Sequence, residues 1–139
     1  MRILKSGIIA VLTVATATNV AAGAARDAIL AALQTQAKAA DPAFATFDPA
    51  RGEALFRAQS TTGKPDTPSC TTCHTQNPKH PGRTRAGKEI AAMALSVTPD
   101  RYGDAEKVEK WFARNCQSVL GRPCTAQEKG DFISFMIAQ

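Results

Sequence analysis

No apolar run in the N-terminal part of this chain reaches the roughly 20 residues that a membrane-spanning helix needs; the one from Gly7 to Ala15 falls well short. What stands there instead is Arg2 and Lys5 before the run and the small residues Ala22, Gly23 and Ala24 after it, the pattern of a secretory signal peptide cleaved near Ala24. Strand-like alternation, internal repeats and low-complexity tracts are also missing, so an all-α class is expected. Charge is not concentrated in either sign. There are 17 basic and 12 acidic side chains, and losing Arg2 and Lys5 with the signal segment leaves the mature chain only mildly basic, which is not a nucleic-acid charge pattern. Histidine is scarce, with two in 139 residues, and so is methionine, with three including Met1. That scarcity confines any metal chemistry to a few residues. The length allows one domain, residues 25–139, behind a targeting segment, residues 1–24.

The helices are legible from caps and apolar spacing. Arg26 to Ala40 is alanine-rich, with Ile29, Leu30, Leu33 and Ala37 on one helical face, and Asp41 and Pro42 end it. Asp48 followed by Pro49 opens a second helix to about Ala58, with Ala54, Leu55 and Phe56 as its apolar face. A Thr-, Gly-, Pro- and Asp-containing loop, Ser60 to Ser69, follows. Asn77 to Gly82, with Pro78 and Pro81, is expected as a surface loop, and Gly87 to Ser96 as a short helix carrying Ile90, Met93 and Ala94. Asp104 caps a helix through Cys116, on which Val108, Trp111, Phe112 and Asn115 recur at i, i+3, i+4 and i+7. Thr125 to Glu128 reads as a capping box, opening a last helix with Phe132, Phe135 and Met136 toward the core.

Cys70, Cys73 and His74 form a Cys-x-x-Cys-His motif with Thr71 and Thr72 inside it. In such a motif the two thiols add to the vinyl groups of haem and the adjoining imidazole coordinates the iron. A thioredoxin-like redox pair would need a βαβ setting, which this chain lacks. A zinc site would need further ligands, and only His80, Cys116 and Cys124 remain. Four cysteines in an exported chain are compatible with two disulfides, but the local spacing divides them into one haem-linked pair and one disulfide. Haem c is therefore the expected cofactor. It also supplies a large apolar core piece that a domain of this size lacks, so the apo chain is expected to be poorly folded.

The sixth coordination position is less determined. Methionine is the usual partner of histidine in electron-transfer cytochromes c, and the mature chain offers Met93 and Met136. Met136 follows Phe132 and Phe135, where gap filling is the better reading; Met93 stays open as a ligand. His80 follows His74 by six residues through a proline-rich loop and would have to round the macrocycle almost fully extended, so it reads as a loop histidine. Asn115 shares a face with Val108, Trp111 and Phe112, which suit packing against haem, and a buried amide there needs a partner. The iron and a helix C-cap are equal readings of Asn115 at this point.

A further set of residues carries a resemblance: Gly63 to His74, Gly87 to Ile90, Thr98 to Arg101, Val108 to Trp111, and Arg114, Asn115 and Cys116 with Cys124. From about Arg51 to its C-terminus the chain resembles the sphaeroides haem protein family, small exported high-spin c-type cytochromes that bind oxygen. The resemblance implies a cytochrome c-like helical fold, a periplasmic location, His74 as proximal iron ligand, Asn115 as a weak and releasable distal ligand, and a Cys116 to Cys124 disulfide beside it. Cytochrome c″, a sister group, has histidine where this chain has Asn115. The loop of Pro78 and Pro81 departs from the family pattern. An amide oxygen is a hard, neutral donor that competes poorly for ferrous iron, so reduction is expected to release Asn115 and admit a small diatomic, O₂, NO or CO. The freed amide NH₂ then has a hydrogen bond to offer that ligand, while the disulfide tethers the moving segment. The family further implies a dihaem c-type cytochrome as redox partner, itself fed by a membrane b-type cytochrome. Turnover of the ligand is not read from these residues. The alternative is a simple electron carrier with a permanently bound sixth ligand. Of the basic cluster Lys79, His80, Arg83, Arg85 and Lys88, one arginine is expected on a haem propionate and the rest at the surface.

Overall fold

A computed structural model describes residues 15–139. Arg2, Lys5 and the apolar run as far as Val14 lie outside the described residues. The first helix, α1, spans Ala15–Ala40. It begins earlier than the expected Arg26 because the residues ahead are also mostly alanine, the strongest helix former. Leu33 and Ala37 bury its inner face. No described helix is long and apolar enough to cross a membrane.

Helix α2, Pro49–Arg57, starts as expected: Asp48 accepts from the Ala50 amide at 2.8 Å and Pro49 occupies the first turn. A single turn, α3, covers Thr71–His74. Helix α4 spans Ala105–Leu120 behind Asp104, whose carboxylate accepts from the Lys107 amide at 3.0 Å. It continues past Cys116 to a left-handed Gly121 at φ 68°. Helix α5, Ala126–Ile137, carries the full capping box: the Glu128 amide donates to Thr125 Oγ1 at 3.1 Å, and the Thr125 amide to Glu128 Oε2 at 2.8 Å.

The expected helix over Gly87 to Ser96 is absent. Glu89–Ile90 (β2) instead pairs antiparallel with Gly82–Arg83 (β1), Gly82 opposite Ile90. Gly87 sits at φ 79° in the turn between them, where the Lys88 amide donates to Thr84 Oγ1 at 3.1 Å. Beyond it, the amides of Met93 and Ala94 both donate to the carbonyl of Pro78, at 2.8 and 2.9 Å. A distant acceptor has replaced the i−4 carbonyl a helix would have supplied, and Pro78, read as surface loop, is buried.

Helices α2 and α5 pack together and form the core with the loop after β2. Phe56, Met93, Phe132, Phe135 and Met136 make one buried cluster, with Phe56 5.8 Å from Phe135 between ring centres. The two helices approach closely because Gly52 has no side chain; a Cβ there would lie 2.0 Å from the Asp131 carbonyl oxygen. Asp131, only 3% exposed, accepts from Arg51 Nε at 2.8 Å and from the Asp48 amide at 2.7 Å. A buried carboxylate is thereby satisfied and the start of α2 is fastened to α5.

Candidate haem-binding site

Cys70, Cys73 and His74 stand at i, i+3 and i+4, so one helical turn turns all three to the same side. The turn closes through hydrogen bonds from the Cys73 and His74 amides to the Cys70 carbonyl, at 3.3 and 3.1 Å. Ser69, buried at its start, accepts from the Thr71 amide and shares a hydrogen bond with Thr71 Oγ1 at 2.9 Å. Gly82 of β1 packs directly on this turn, since a Cβ there would lie 2.1 Å from the Cys73 carbonyl oxygen. The short ladder, invisible in the periodicity, therefore buttresses the attachment motif.

A cavity of about 1000 Å³ opens in front of these three residues. Its far wall is α4: Val108, Trp111, Phe112 and Asn115, the face predicted from spacing, all line it. Phe112 is held edge-on against Phe132, 5.5 Å between ring centres at 82°. Trp111 is half exposed, with the Arg114 guanidinium 5.6 Å from its ring centre. Asn115 lies inside α4, so it is not a C-cap; that role belongs to the Gly121 turn. Close approach explains the glycine, as a Cβ on Gly121 would lie 2.2 Å from the Thr62 carbonyl oxygen.

The two walls are tied together by the loop before Cys70. The Lys64 amide donates to the Ser118 carbonyl at 2.7 Å, Thr67 Oγ1 to the same oxygen at 3.2 Å, and Thr62 Oγ1 to the Leu120 carbonyl at 2.7 Å. Carbonyls at the end of α4, which no helical amide reaches, are thus satisfied by the segment that delivers Cys70. Cys116 and Cys124 are disulfide-bonded, Cα to Cα 5.6 Å, joining α4 just before its last turn to the residue ahead of the α5 cap.

Of the methionines, Met136 is fully buried in the core. Met93 is 7% exposed within the same cluster but also borders the cavity. His80 is exposed, 3.4 Å from the Asn77 side-chain nitrogen, and is not among the lining residues. In the basic cluster, Arg85 and Lys88 border the cavity, Arg85 paired with Asp66, while Arg83 donates to the Gly87 carbonyl at 3.2 Å. Sequence reasoning missed Arg101. It lines the cavity and donates to the carbonyls of Ala91 and Ala92 at 3.2 and 3.1 Å, and no described carboxylate pairs with it. Its presence in the Thr98 to Arg101 string was the available signal. Tyr102, at φ 63°, is anchored beside it by a hydroxyl bond to the Met93 carbonyl at 3.2 Å.

Burial, reinforced by the nearby Arg101 charge, lowers the His74 pKa from its ordinary value to about 4, so the imidazole is neutral near pH 7. Burial also raises Cys70 to about 11, keeping the free thiol protonated. His74 Nδ1 is buried with no hydrogen-bond partner, and no described cluster of His, Cys, Asp or Glu could hold a bare metal ion. These features fit haem c. The cavity is of the size of a cofactor site, aromatic and aliphatic side chains such as Leu55, Val108, Trp111, Phe112 and Phe132 line part of it, two thiols and a neutral imidazole share one wall, and basic groups suited to propionates border it.

A family model described as a domain of unknown function, DUF1924, matches residues 42–136. The cytochrome c-type protein SHP of Cereibacter sphaeroides is 56% identical over 95 residues, covering 68% of this chain and 74% of that protein. Cytochrome c″ of Methylophilus methylotrophus is 32% identical over 104 residues, covering 74% of this chain and 72% of that protein. The structure of oxidized SHP, an oxygen-binding cytochrome c, superposes with a TM-score of 0.75 at 48% identity, over 82% of this chain and 96% of that one. Oxidized cytochrome c″ superposes at 0.69 with 28% identity, over 84% of this chain and 95% of that one. With a relative this similar and a family model spanning most of its length, the chain belongs to the SHP family of c-type cytochromes, shares their helical fold, and is related to cytochrome c″.

Proposed function

We propose that the protein is an exported, periplasmic cytochrome with one haem c held covalently by Cys70 and Cys73, and that it binds a small diatomic, O₂ or NO, in its reduced state. The haem, when bound, supplies an iron that changes oxidation state and accepts a ligand. His74 offers a neutral imidazole as proximal donor. Asn115 offers an amide oxygen, a hard and weak donor that would hold ferric iron but compete poorly for ferrous iron. Its amide NH₂ would have a hydrogen bond to offer a diatomic bound beside it. Trp111 and Phe112, which line the cavity, would pack against the bound haem, and the Cys116 to Cys124 bridge would limit the swing of the Asn115 segment. The signal segment, residues 1–24, directs export, and a dihaem c-type cytochrome supplies the electron.

The observation that carries this reading is that Asn115 and His74 border one cavity while Met136 is sequestered in the core. Oxygen binding by SHP supports it. So does cytochrome c″, whose solution structure gives insight into haem-ligand detachment. One observation favours the electron-carrier alternative: Met93 also borders the cavity. The ferrous absorption spectrum with and without CO separates the two. A high-spin, five-coordinate ferrous spectrum that CO converts is expected; a sharp low-spin spectrum indifferent to CO would leave the electron carrier.

A further inference from the structure

A second cavity, about 450 Å³ and open to the surface, lies between α1 and α4. It exists because Ala28 and Ala32 of α1 face Ala105 of α4 there, and single-carbon side chains do not fill the gap between two helices. Glu109 and Lys129, ion-paired at 2.6 Å, stand at its polar edge. Of all residues lining either cavity, Val108 alone lines both. Val108 is two turns before Asn115 on the same face of α4, about 10 Å along the axis, with Phe112 between them. The family model begins at residue 42, so the α1 wall lies outside it.

We infer that this recess is an entry route by which a small uncharged diatomic passes Val108 and reaches the Asn115 side of the main cavity. The inference rests on the ligand-binding reading above. Diatomic gases are poorly held by water and move readily into apolar surroundings, and cavities lined by aliphatic groups take up xenon and similar solutes. The borders of the main cavity that carry Lys64, Arg85, Lys88 and Arg101 are charged and hydrated, whereas the recess offers aliphatic walls for most of its length. Val108, a branched side chain with restricted rotamers, is the constriction between them.

The test is CO rebinding after flash photolysis of the reduced, mature holoprotein. Ala32→Trp fills the recess without touching the haem cavity, and Val108→Ala widens the constriction. A route changes rates and leaves equilibrium alone. Ala32→Trp is therefore expected to slow CO association and dissociation alike by about tenfold, the effect of roughly 1.4 kcal/mol on a barrier, at unchanged CO affinity. Val108→Ala is expected to speed association. Should Ala32→Trp fail to fold, Val108→Ala decides: association no faster than in the parent overturns the route. Unchanged rates in both variants overturn it as well, as does a fall in affinity carried by faster dissociation alone. A parent protein that binds no CO overturns instead the ligand-binding function the route serves, and is seen before any variant is made.

Discussion

Asn115 is a residue whose chemistry is set by where α4 stops. Had the helix ended at Cys116, its amide would have been a cap; because the helix runs to Leu120, its own turn is closed and its side chain borders the cavity. Asn115→Ala removes the amide and improves helix propensity, so folding and haem attachment are expected to persist. The ferric spectrum should change to that of a water-ligated or five-coordinate haem. Release of O₂ should quicken by roughly fivefold, the worth of one hydrogen bond of about 1 kcal/mol. Asn115→Met offers a soft donor that stays bound after reduction, and CO uptake should fall. A ferric spectrum of Asn115→Ala indistinguishable from the parent's would take Asn115 off the iron and make Met93 the residue to replace next.

The α2 and α5 pair supports the site from behind, since Phe132 of α5 backs Phe112 of α4. Gly52 is where this pairing is most demanding. In an exposed helix, glycine to alanine is worth about 1 kcal/mol in the favourable direction. Here the new Cβ would lie 2.0 Å from backbone, the Asp131 carbonyl oxygen, and 2.9 Å from the Phe135 Cβ. Neither is the far end of a flexible chain. Overpacking of this kind costs about 1 to 3 kcal/mol or more, which outweighs the propensity gain, so Gly52→Ala is expected to lower the thermal midpoint of the holoprotein. A midpoint equal to or above the parent's would mean that α2 can slide along α5 without loss. The same close packing disturbs the Asp131 bonds to Arg51 and Asp48, so the start of α2 should fray first.

For the whole molecule, the four cysteines are expected to be fully consumed, two by haem and two by each other. The native protein, denatured without reductant, should show no free thiol by thiol titration, and after reduction two. Its mass should equal residues 25–139 plus one haem, less the two hydrogens of the disulfide. Two free thiols before reduction would mean that Cys116 and Cys124 do not pair in the native protein. Haem is also the largest apolar body available to this fold. With a cavity of about 1000 Å³ bordered by parts of α3, α4 and α5, a haem held there would join α4 to the rest of the chain.

The Cys-x-x-Cys-His motif and most of the helix starts are legible in the amino-acid order alone. Cap residues act locally, so Asp48, Asp104 and the Thr125 to Glu128 box named their helix starts correctly, and the Cys70 to His74 spacing specifies its turn with no outside help. The apolar face of α4, with Asn115 on it, followed from the 3.6-residue period alone. The rest depends on partners far along the chain. The segment from Gly87 to Ser96 has helical composition, yet the Pro78 carbonyl captures two of its amides and Gly82 pairs with Ile90. The end of α4 is fixed by Thr62 and the Lys64 amide, more than fifty residues earlier, which is why helix spacing alone left Asn115 open as a C-cap. Arg101 reaches the cavity through bonds to Ala91 and Ala92 that no periodicity announces. Local hydrogen bonds are written in neighbouring residues; which distant carbonyl an amide or guanidinium finds is settled only when the chain has closed around its core.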